Sequence, residues 1–241
     1  MKSSARKFNI RGFQETTLID WDGKIASIIF MGGCNFRCGY CHSGSLVLED
    51  DKNELISIDY VENFLNSKKG WIDGVVIMGG EPTLNEESLR ELVARIKKIG
   101  FLVKLDTNGS NPKILKKLIN DKLIDYVALD IKAPLRKEAY ERVVGVTVDI
   151  IKIIESKDIL LGSRIDYEFR TTVVPGIICP GDIAEIAKSI SHAKKYCIQQ
   201  FLPKDTLDPF FLKTQPYSLK ELNKLALIAY QHLPNVVIRK N

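Results

Sequence analysis

Short apolar runs alternate with longer amphipathic segments along most of the chain. Runs of this length, bounded by polar residues, favour strands that are buried on both faces, as in a parallel sheet. The runs predict six strands, at residues 24–30, 74–78, 101–106, 126–131, 167–174 and 197–202. Between and after them, helical spacing of apolar residues predicts helices at 58–67 and 86–99, and others beginning at Pro112, Asp182 and Ser218.

The order of these elements indicates a fold class. Strand and helix in regular alternation are typical of right-handed βαβ units. Six repeats fit 241 residues, whereas the eight of a closed barrel would be tight. The sequence therefore predicts an α/β fold, a partial (open) (β/α)6 TIM-like barrel, with its active site at the carboxyl ends of the strands. We expect one domain, comprising an N-terminal extension at 1–23, the barrel at 24–203 and a C-terminal segment at 204–241.

Composition narrows the class of protein. Hydrophobic residues make up 45% of the chain and charged residues 27%, as in ordinary globular proteins. The net charge of +5 arises partly from lysine pairs on predicted helices, which favours solvated helix faces over a nucleic-acid surface. No segment approaches the roughly 18 apolar residues of a membrane span, and the N-terminus has no secretory signal. We expect a cytoplasmic protein with no nucleic-acid or membrane partner.

Three of the five cysteines directly follow the first predicted strand. Cys34, Cys38 and Cys41 have the spacing C-x3-C-x2-C, and glycines in this loop let the backbone wrap closely round a metal centre. Three thiolates leave one iron of a four-iron cube open, as a catalytic metal site requires. The alternative is a structural zinc ion on the same thiolates and His42, although the adjacent Cys41 and His42 are poorly placed to reach one tetrahedral ion.

Polar motifs follow the next strands. Gly79 and Gly80 close the strand at 74–78 and allow a ligand to approach the backbone. Glu81 follows them, and its carboxylate either accepts from an ammonium group or lies in a solvated turn. The next two strands end in charged motifs, Asp106-Thr107-Asn108-Gly109 and Asp130-Ile131-Lys132.

The sequence alone leaves open which groups the side chains of Lys132 and Arg170 pair with. Lys132 pairs either with a ligand carboxylate or with Asp130. Arg170 lies within a predicted strand, where it is either a paired structural cation or a ligand contact. Gln200 ends the last predicted barrel strand.

The cysteine spacing, with Tyr40 inside it and Gly-Gly-Glu-Pro after the next strand, resembles the radical S-adenosylmethionine (SAM) superfamily. The resemblance implies one [4Fe–4S] cluster on the three cysteines, whose open iron chelates SAM. It also implies that SAM is cleaved to a 5′-deoxyadenosyl radical. Tyr40 would then lie near the adenine, and Gly79, Gly80 and Glu81 at the amino group of SAM.

The later motifs resemble one branch of that superfamily, the glycyl-radical-enzyme activases. With residues 10–13, 200–203, 206–209 and 215–218, the likeness extends to activating proteins of anaerobic ribonucleoside-triphosphate reductase. It implies a glycyl radical enzyme as partner and reduced flavodoxin or ferredoxin as electron donor. It also implies a monovalent cation on Asp106, Thr107 and Asp130, with Lys132 at SAM. Further cofactor contacts are then expected from Asn108, Arg170 and Gln200.

Two departures from that branch are visible. No cysteine lies between Cys41 and Gly79, so an inserted ferredoxin-like segment is absent. Gln200 is followed by no histidine of the kind found in formate-lyase activases, which counts against such a partner. The remaining Cys179 and Cys197 are interpreted as buried, inert thiols.

Three alternatives stay open. The first is a radical SAM enzyme acting on a small molecule or nucleobase, similar to carboxy-deazaguanine synthase. The second is a non-enzymatic zinc-binding interaction module. The third is an activase of some other glycyl radical enzyme.

Overall fold

A computed structural model describes residues 8–48 and 54–240. Residues 1–7 of the predicted N-terminal extension and residue 241 of the predicted C-terminal segment lie outside these ranges. The strands are β1 Ile10–Thr17, β2 Ala26–Met31, β3 Gly74–Gly79, β4 Leu102–Thr107, β5 Tyr126–Asp130, β6 Asp166–Val173, β7 Tyr196–Gln200 and β8 Val236–Arg239. The α-helices are α1 Gly44–Val47, α2 Ile58–Ser67, α3 Glu86–Ile99, α4 Pro112–Asn120, α5 Lys137–Val144, α6 Ile150–Leu161, α7 Pro180–Ser189 and α8 Leu219–Tyr230. Short 3-10 helices span Pro82–Leu84 and Pro209–Lys213.

The described strands follow one another in the sheet in chain order, from β1 to β8. β1 is antiparallel to β2, whereas the β2–β3, β3–β4, β6–β7 and β7–β8 pairs are parallel. All six predicted strands are present, as β2 to β7. The sequence missed β1, which is largely half-buried or exposed, and β8, which has four residues.

Helix ends follow local capping chemistry. α3 begins after Asn85, whose side chain accepts from the backbone N–H of Ser88, and it ends at Gly100 in the left-handed conformation. The predicted capping box of Ser218 and Glu221 is present at α8. Asp182 is not the N-cap of α7 as predicted. That helix begins at Pro180, and the Asp182 carboxylate accepts from the N–H of Cys179 (2.8 Å).

The chain divides into two compact units. Among the described residues, the first unit contains 8–35, 45–48, 54–107 and 113–127, and the second contains 36–44, 108–112 and 128–240. In the first unit, Trp21 from the β1–β2 connection packs with Ala26, Ile28 and Val76. In the second, β6 and β7 bury Phe169 and Tyr196 completely. The single-domain organisation stays a prediction.

No helix within the described ranges is both long and apolar enough to cross a membrane. The two thiols outside the cysteine loop differ in exposure. Cys197 is buried in β7, as predicted, whereas Cys179 is exposed before α7, so its predicted burial is wrong. Its position as N-cap of a surface helix explains the difference, because a cap lies outside the packed face of the helix.

Candidate active site

The first unit brings the end of β3 against the backbone that leads into the cysteine loop. The N–H of Gly80 donates to the carbonyl of Met31 (2.9 Å), and the N–H of Glu81 donates to the carbonyl of Gly33 (2.7 Å). A Cβ atom on Gly80 would lie 1.7 Å from the Gly33 oxygen. Only glycine therefore fits at residue 80, and the Gly-Gly motif is coupled directly to the segment that carries Cys34.

Glu81 is buried at 2% exposure. Its Oε1 accepts from the N–H of Thr83 (3.0 Å) and from the hydroxyls of Thr83 and Thr107, the latter at 2.7 Å. The carboxylate thus caps the 3-10 helix Pro82–Leu84 and links it to the end of β4. Sequence reasoning predicted contact between this carboxylate and the SAM amino group, whereas the geometry favours a positioning role for Oε1.

A lysine that sequence reasoning did not single out lies within β4. Lys104 is 1% exposed, and its Nζ lies 3.6 Å from Oδ1 of Asp106. The ammonium also donates to the carbonyl of Asp20 and lies 5.5 Å from the ring centroid of Tyr126. The signal that would have found it is the period of two in a strand, which places Lys104 and Asp106 on the same face.

The rest of the cysteine loop belongs to the second unit. There, the N–H of Leu207 donates to the carbonyl of Cys41 (2.9 Å), and the N–H of Asp208 donates to that of Gly39 (2.8 Å). The Phe211 ring fills the space beside Gly39, where a Cβ atom would lie 2.7 Å from the ring. We call residues 207–211 the clasp, because they hold the loop through backbone bonds and an aromatic contact.

A charged triad lies in the same unit. Oδ1 of Asp130 accepts from Nε of Arg170 (2.9 Å), and its Oδ2 accepts from Nζ of Lys132 (3.2 Å). Burial opposes ionisation of Asp130, but the two cations prevail and lower its pKa. Burial likewise disfavours the ammonium of Lys132, but Asp130 reverses this and raises its pKa well above the usual value. The triad is therefore a set of fixed charges in which Arg170 is paired with Asp130, and its contact with a ligand stays a prediction.

The electrostatics of the loop follow from this triad. Cys38 and Tyr40 are buried, and burial raises the pKa of each. The Lys132 ammonium acts in the opposite direction on both groups, so it favours a thiolate at Cys38. Thiolates are the form that binds iron.

Two other residues predicted to contact the cofactor, Asn108 and Gln200, form hydrogen bonds with the backbone. The Asn108 side chain accepts from the N–H of Ser110 (3.0 Å), an arrangement that shapes its own turn. The Gln200 amide donates to the carbonyl of Tyr217 (2.8 Å) and so fixes the segment after β7.

Within residues 8–48 and 54–240, no three Cys, His, Asp or Glu side chains form a group suited to a single metal ion. The donor chemistry of the cysteine loop fits an iron–sulfur cluster. It offers three thiols in a glycine-containing loop, one of them facing a cation that favours its ionised form.

The family model of the radical SAM superfamily matches residues 28–194, which is more than half of the chain. The chain belongs to the radical SAM superfamily. Membership implies a [4Fe–4S] cluster and SAM as cofactors, and it makes the protein an enzyme.

Relatives place this radical SAM protein more narrowly. It is 37% identical over 237 residues to a proposed glycyl-radical enzyme activating enzyme of Methanocaldococcus jannaschii, with 95% of each chain covered. It is 30% identical over 179 residues to the pyruvate formate-lyase 1-activating enzyme of Escherichia coli strain K12, with 69% of this chain and 68% of that one covered. The predicted membership of the glycyl-radical enzyme activating enzymes is confirmed.

A solved structure supports the fold. TYW1 with a lysine–pyruvate adduct bound matches with a TM-score of 0.57 at 17% identity, covering 86% of this chain and 74% of that one. At this identity the likeness concerns the fold alone. The predicted α/β class, a partial barrel with an open sheet, is confirmed.

Proposed function

We propose that this radical SAM protein activates an anaerobic ribonucleoside-triphosphate reductase by forming a glycyl radical on it. The similarity to an activating enzyme over 95% of both chains, together with the C-x3-C-x2-C loop, supports the activase class. The choice of the reductase as partner rests on the resemblance of residues 10–13, 200–203, 206–209 and 215–218. Bound on Cys34, Cys38 and Cys41, one [4Fe–4S] cluster would supply the electron that splits SAM into methionine and a 5′-deoxyadenosyl radical. The net reaction moves one hydrogen atom from a glycine Cα to the deoxyadenosyl group. Reduced flavodoxin or ferredoxin is the proposed electron donor.

Residues of the chain itself would bind and orient SAM. Lys132, fixed by Asp130, would pair with the carboxylate of SAM. The backbone of Gly79 and Gly80 would hold the amino group, and the buried Glu81 maintains the turn that follows them. Tyr40, which packs on the clasp, would contact the adenine.

A groove in the second unit suits a peptide substrate. It has a volume of about 480 Å³ and is lined by Pro175, Gly176, Ile177, Phe210, Phe211, Lys213 and Thr214. Phe211 belongs both to this groove and to the clasp that holds the cysteine loop. A loop of the partner lying in the groove is thereby led to the cysteine loop. The 72% exposure of Phe210 provides an apolar contact for it.

Reconstitution tests the proposal. The protein is loaded anaerobically with iron and sulfide, reduced with dithionite and incubated with SAM. We expect a brown protein that forms 5′-deoxyadenosine, and a glycyl radical signal by electron paramagnetic resonance when purified reductase is added. A colourless protein that retains zinc and forms none would contradict the proposal. 5′-Deoxyadenosine without a radical on the reductase would contradict the proposed partner.

Matched variants make this test specific. Cys38→Ala removes a proposed iron ligand, and we expect it to abolish cluster binding and SAM cleavage. Cys197→Ala removes a buried thiol outside the loop and should leave both intact. Circular dichroism of both variants checks that the fold persists.

A further inference from the structure

The buried lysine of β4 lies beside one of the carboxylates to which the activase resemblance assigns a monovalent cation. That resemblance assigns the cation to Asp106, Thr107 and Asp130. In the first unit, however, Nζ of Lys104 is 3.6 Å from Oδ1 of Asp106. Both side chains are buried, at 1% and 6% exposure. A protein cation therefore already faces the carboxylate that the external ion would use.

The surroundings of Lys104 suit a fixed charge. A buried ammonium is tolerated only where acceptors and counter-charge replace its water. The Asp20 carbonyl accepts from Nζ, the Asp106 carboxylate lies beside it, and the electron-rich face of Tyr126 is 5.5 Å away. The Asp20 carboxylate accepts from the Thr17 hydroxyl, which holds the β1–β2 connection in the position that presents this carbonyl.

The carboxylate expected as a cation ligand in the second unit is also neutralised from within its own unit. Asp130 accepts from Arg170 at 2.9 Å and from Lys132 at 3.2 Å. Alkali cations prefer oxygen ligands. Oδ1 of Asp106 accepts no hydrogen bond within the described residues, so the Lys104 ammonium at 3.6 Å acts on it through charge, and that ammonium would repel an added monovalent cation. In each unit a protein cation thus opposes an added one, and the residue set does not fit a monovalent cation.

We propose that the Lys104 ammonium supplies at Asp106 the positive charge that a bound monovalent cation would otherwise provide, so that SAM binding requires no added cation. The inference rests on the proposed function, since it concerns SAM at the same site. It assigns a positioning role to Lys104 through Asp106.

The first test measures SAM affinity of the reconstituted wild-type enzyme in KCl, NaCl or choline chloride at constant ionic strength. We expect the same dissociation constant in all three salts, within about twofold. Clearly tighter binding in KCl or NaCl than in choline would overturn the inference. Because 5′-deoxyadenosine formation is measured separately, an enzyme that cleaves SAM but needs the cation refutes only this inference. An enzyme that does not cleave SAM refutes the proposed function.

The second test removes the charge of Lys104, which should make SAM binding depend on an added cation. Lys104→Met leaves Asp106 without that charge, and we expect SAM affinity in choline to fall roughly tenfold or more and to recover in KCl. The same KCl should raise the thermal midpoint of the variant without SAM, which is a readout independent of activity. Adding Asp106→Asn should remove both responses to KCl. Wild-type affinity of Lys104→Met in choline would overturn the inference.

A charge-conserving variant covers the case in which Lys104→Met does not fold. Lys104→Arg should bind SAM equally in choline and KCl, and a potassium requirement in it would contradict the inference. Lys195→Met serves as the matched control, since Lys195 pairs with the buried Glu168 at 3.1 Å. Its thermal midpoint should fall without recovery in KCl.

Discussion

The ring of Phe211 lies edge-on against the ring of Tyr40, with 6.3 Å between the ring centroids. This pair joins the clasp to the segment between two of the proposed cluster ligands, Cys38 and Cys41. The order of the cysteine loop therefore depends on a residue 171 positions after Tyr40 in the chain.

Phe211→Ala should loosen the loop. An aromatic pair contributes about 0.5–1.5 kcal/mol beyond its buried area, which corresponds to a roughly twofold to tenfold faster loss of iron. The measurement is anaerobic iron release to a chelator from the reconstituted protein. Leu227→Ala is the control, because Leu227 is 64% exposed on α8, outside the clasp. Equal release rates from the two variants would show that the Tyr40 contact does not hold the loop.

Phe210→Ala should act on the partner instead. We expect normal cluster content and normal 5′-deoxyadenosine formation without the reductase, but a several-fold higher reductase concentration for half-maximal radical formation. Removing an exposed aromatic contact at an interface typically costs about 1–2 kcal/mol. Leu227→Ala removes a side chain of similar exposure (64%) on α8 and should change nothing. An unchanged requirement in Phe210→Ala would exclude this groove as the partner site.

Glu81→Gln and Glu81→Ala distinguish two roles for the motif. If Oε1 acts by accepting from Thr83 and Thr107, the Glu81→Gln variant retains an acceptor oxygen and should keep most of its affinity for SAM. Alanine should then lower the free energy of unfolding by about 1–3 kcal/mol and weaken SAM binding. Direct pairing of the carboxylate with the SAM amino group predicts equal loss of affinity in both variants. Calorimetry with SAM and thermal unfolding without it make the comparison.

Alkylation should separate the two thiols outside the loop. Burial raises the pKa of Cys197 to about 11, so below that pH the folded protein holds it as the unreactive thiol. At pH 8 iodoacetamide should modify the exposed Cys179 and spare Cys197, and peptide mapping by mass spectrometry reads this directly.

The raised pKa of Cys197 also makes the free energy of unfolding depend on pH. The thiol ionises at its ordinary, lower pKa in the unfolded chain, so the advantage of the folded state is complete below that value and is lost as pH rises toward about 11. Denaturant unfolding across this range should show the decline in the wild type and a smaller decline in Cys197→Ala. Rapid labelling of Cys197 in the native protein at pH 8 would contradict its burial.

The fold was readable from the sequence wherever burial on both faces produced a continuous apolar run. This holds for β2 and β3, most of whose residues are buried. β1 was missed because its middle residues are half-buried or exposed and most of them carry polar side chains. The proposed cluster ligands could also be picked out from the sequence, since the three cysteines are close in the chain.

Contacts between segments that are distant in the sequence could not be predicted from it. The Gly-Gly-Glu-Pro motif does not show where the Glu81 carboxylate points, because that depends on Thr107 in another strand. Lys104 interrupts an apolar run, and only the structure shows that it meets Asp106 and the carbonyl of Asp20. Gln200 stays a predicted cofactor contact, and only the structure shows that its amide also donates to the carbonyl of Tyr217.

The clasp also bears on how the protein is made. The three thiols of the loop are synthesised early, whereas the N–H groups of Leu207 and Asp208 that hold the loop carbonyls come much later. A ribosome-bound chain that stops short of these residues carries the thiols in a loop that lacks these two bonds. For the proposed cluster, stable insertion of iron is expected to follow translation of the clasp, and a nonsense mutation before Leu207 is expected to yield a product that binds iron poorly even though every cysteine is present.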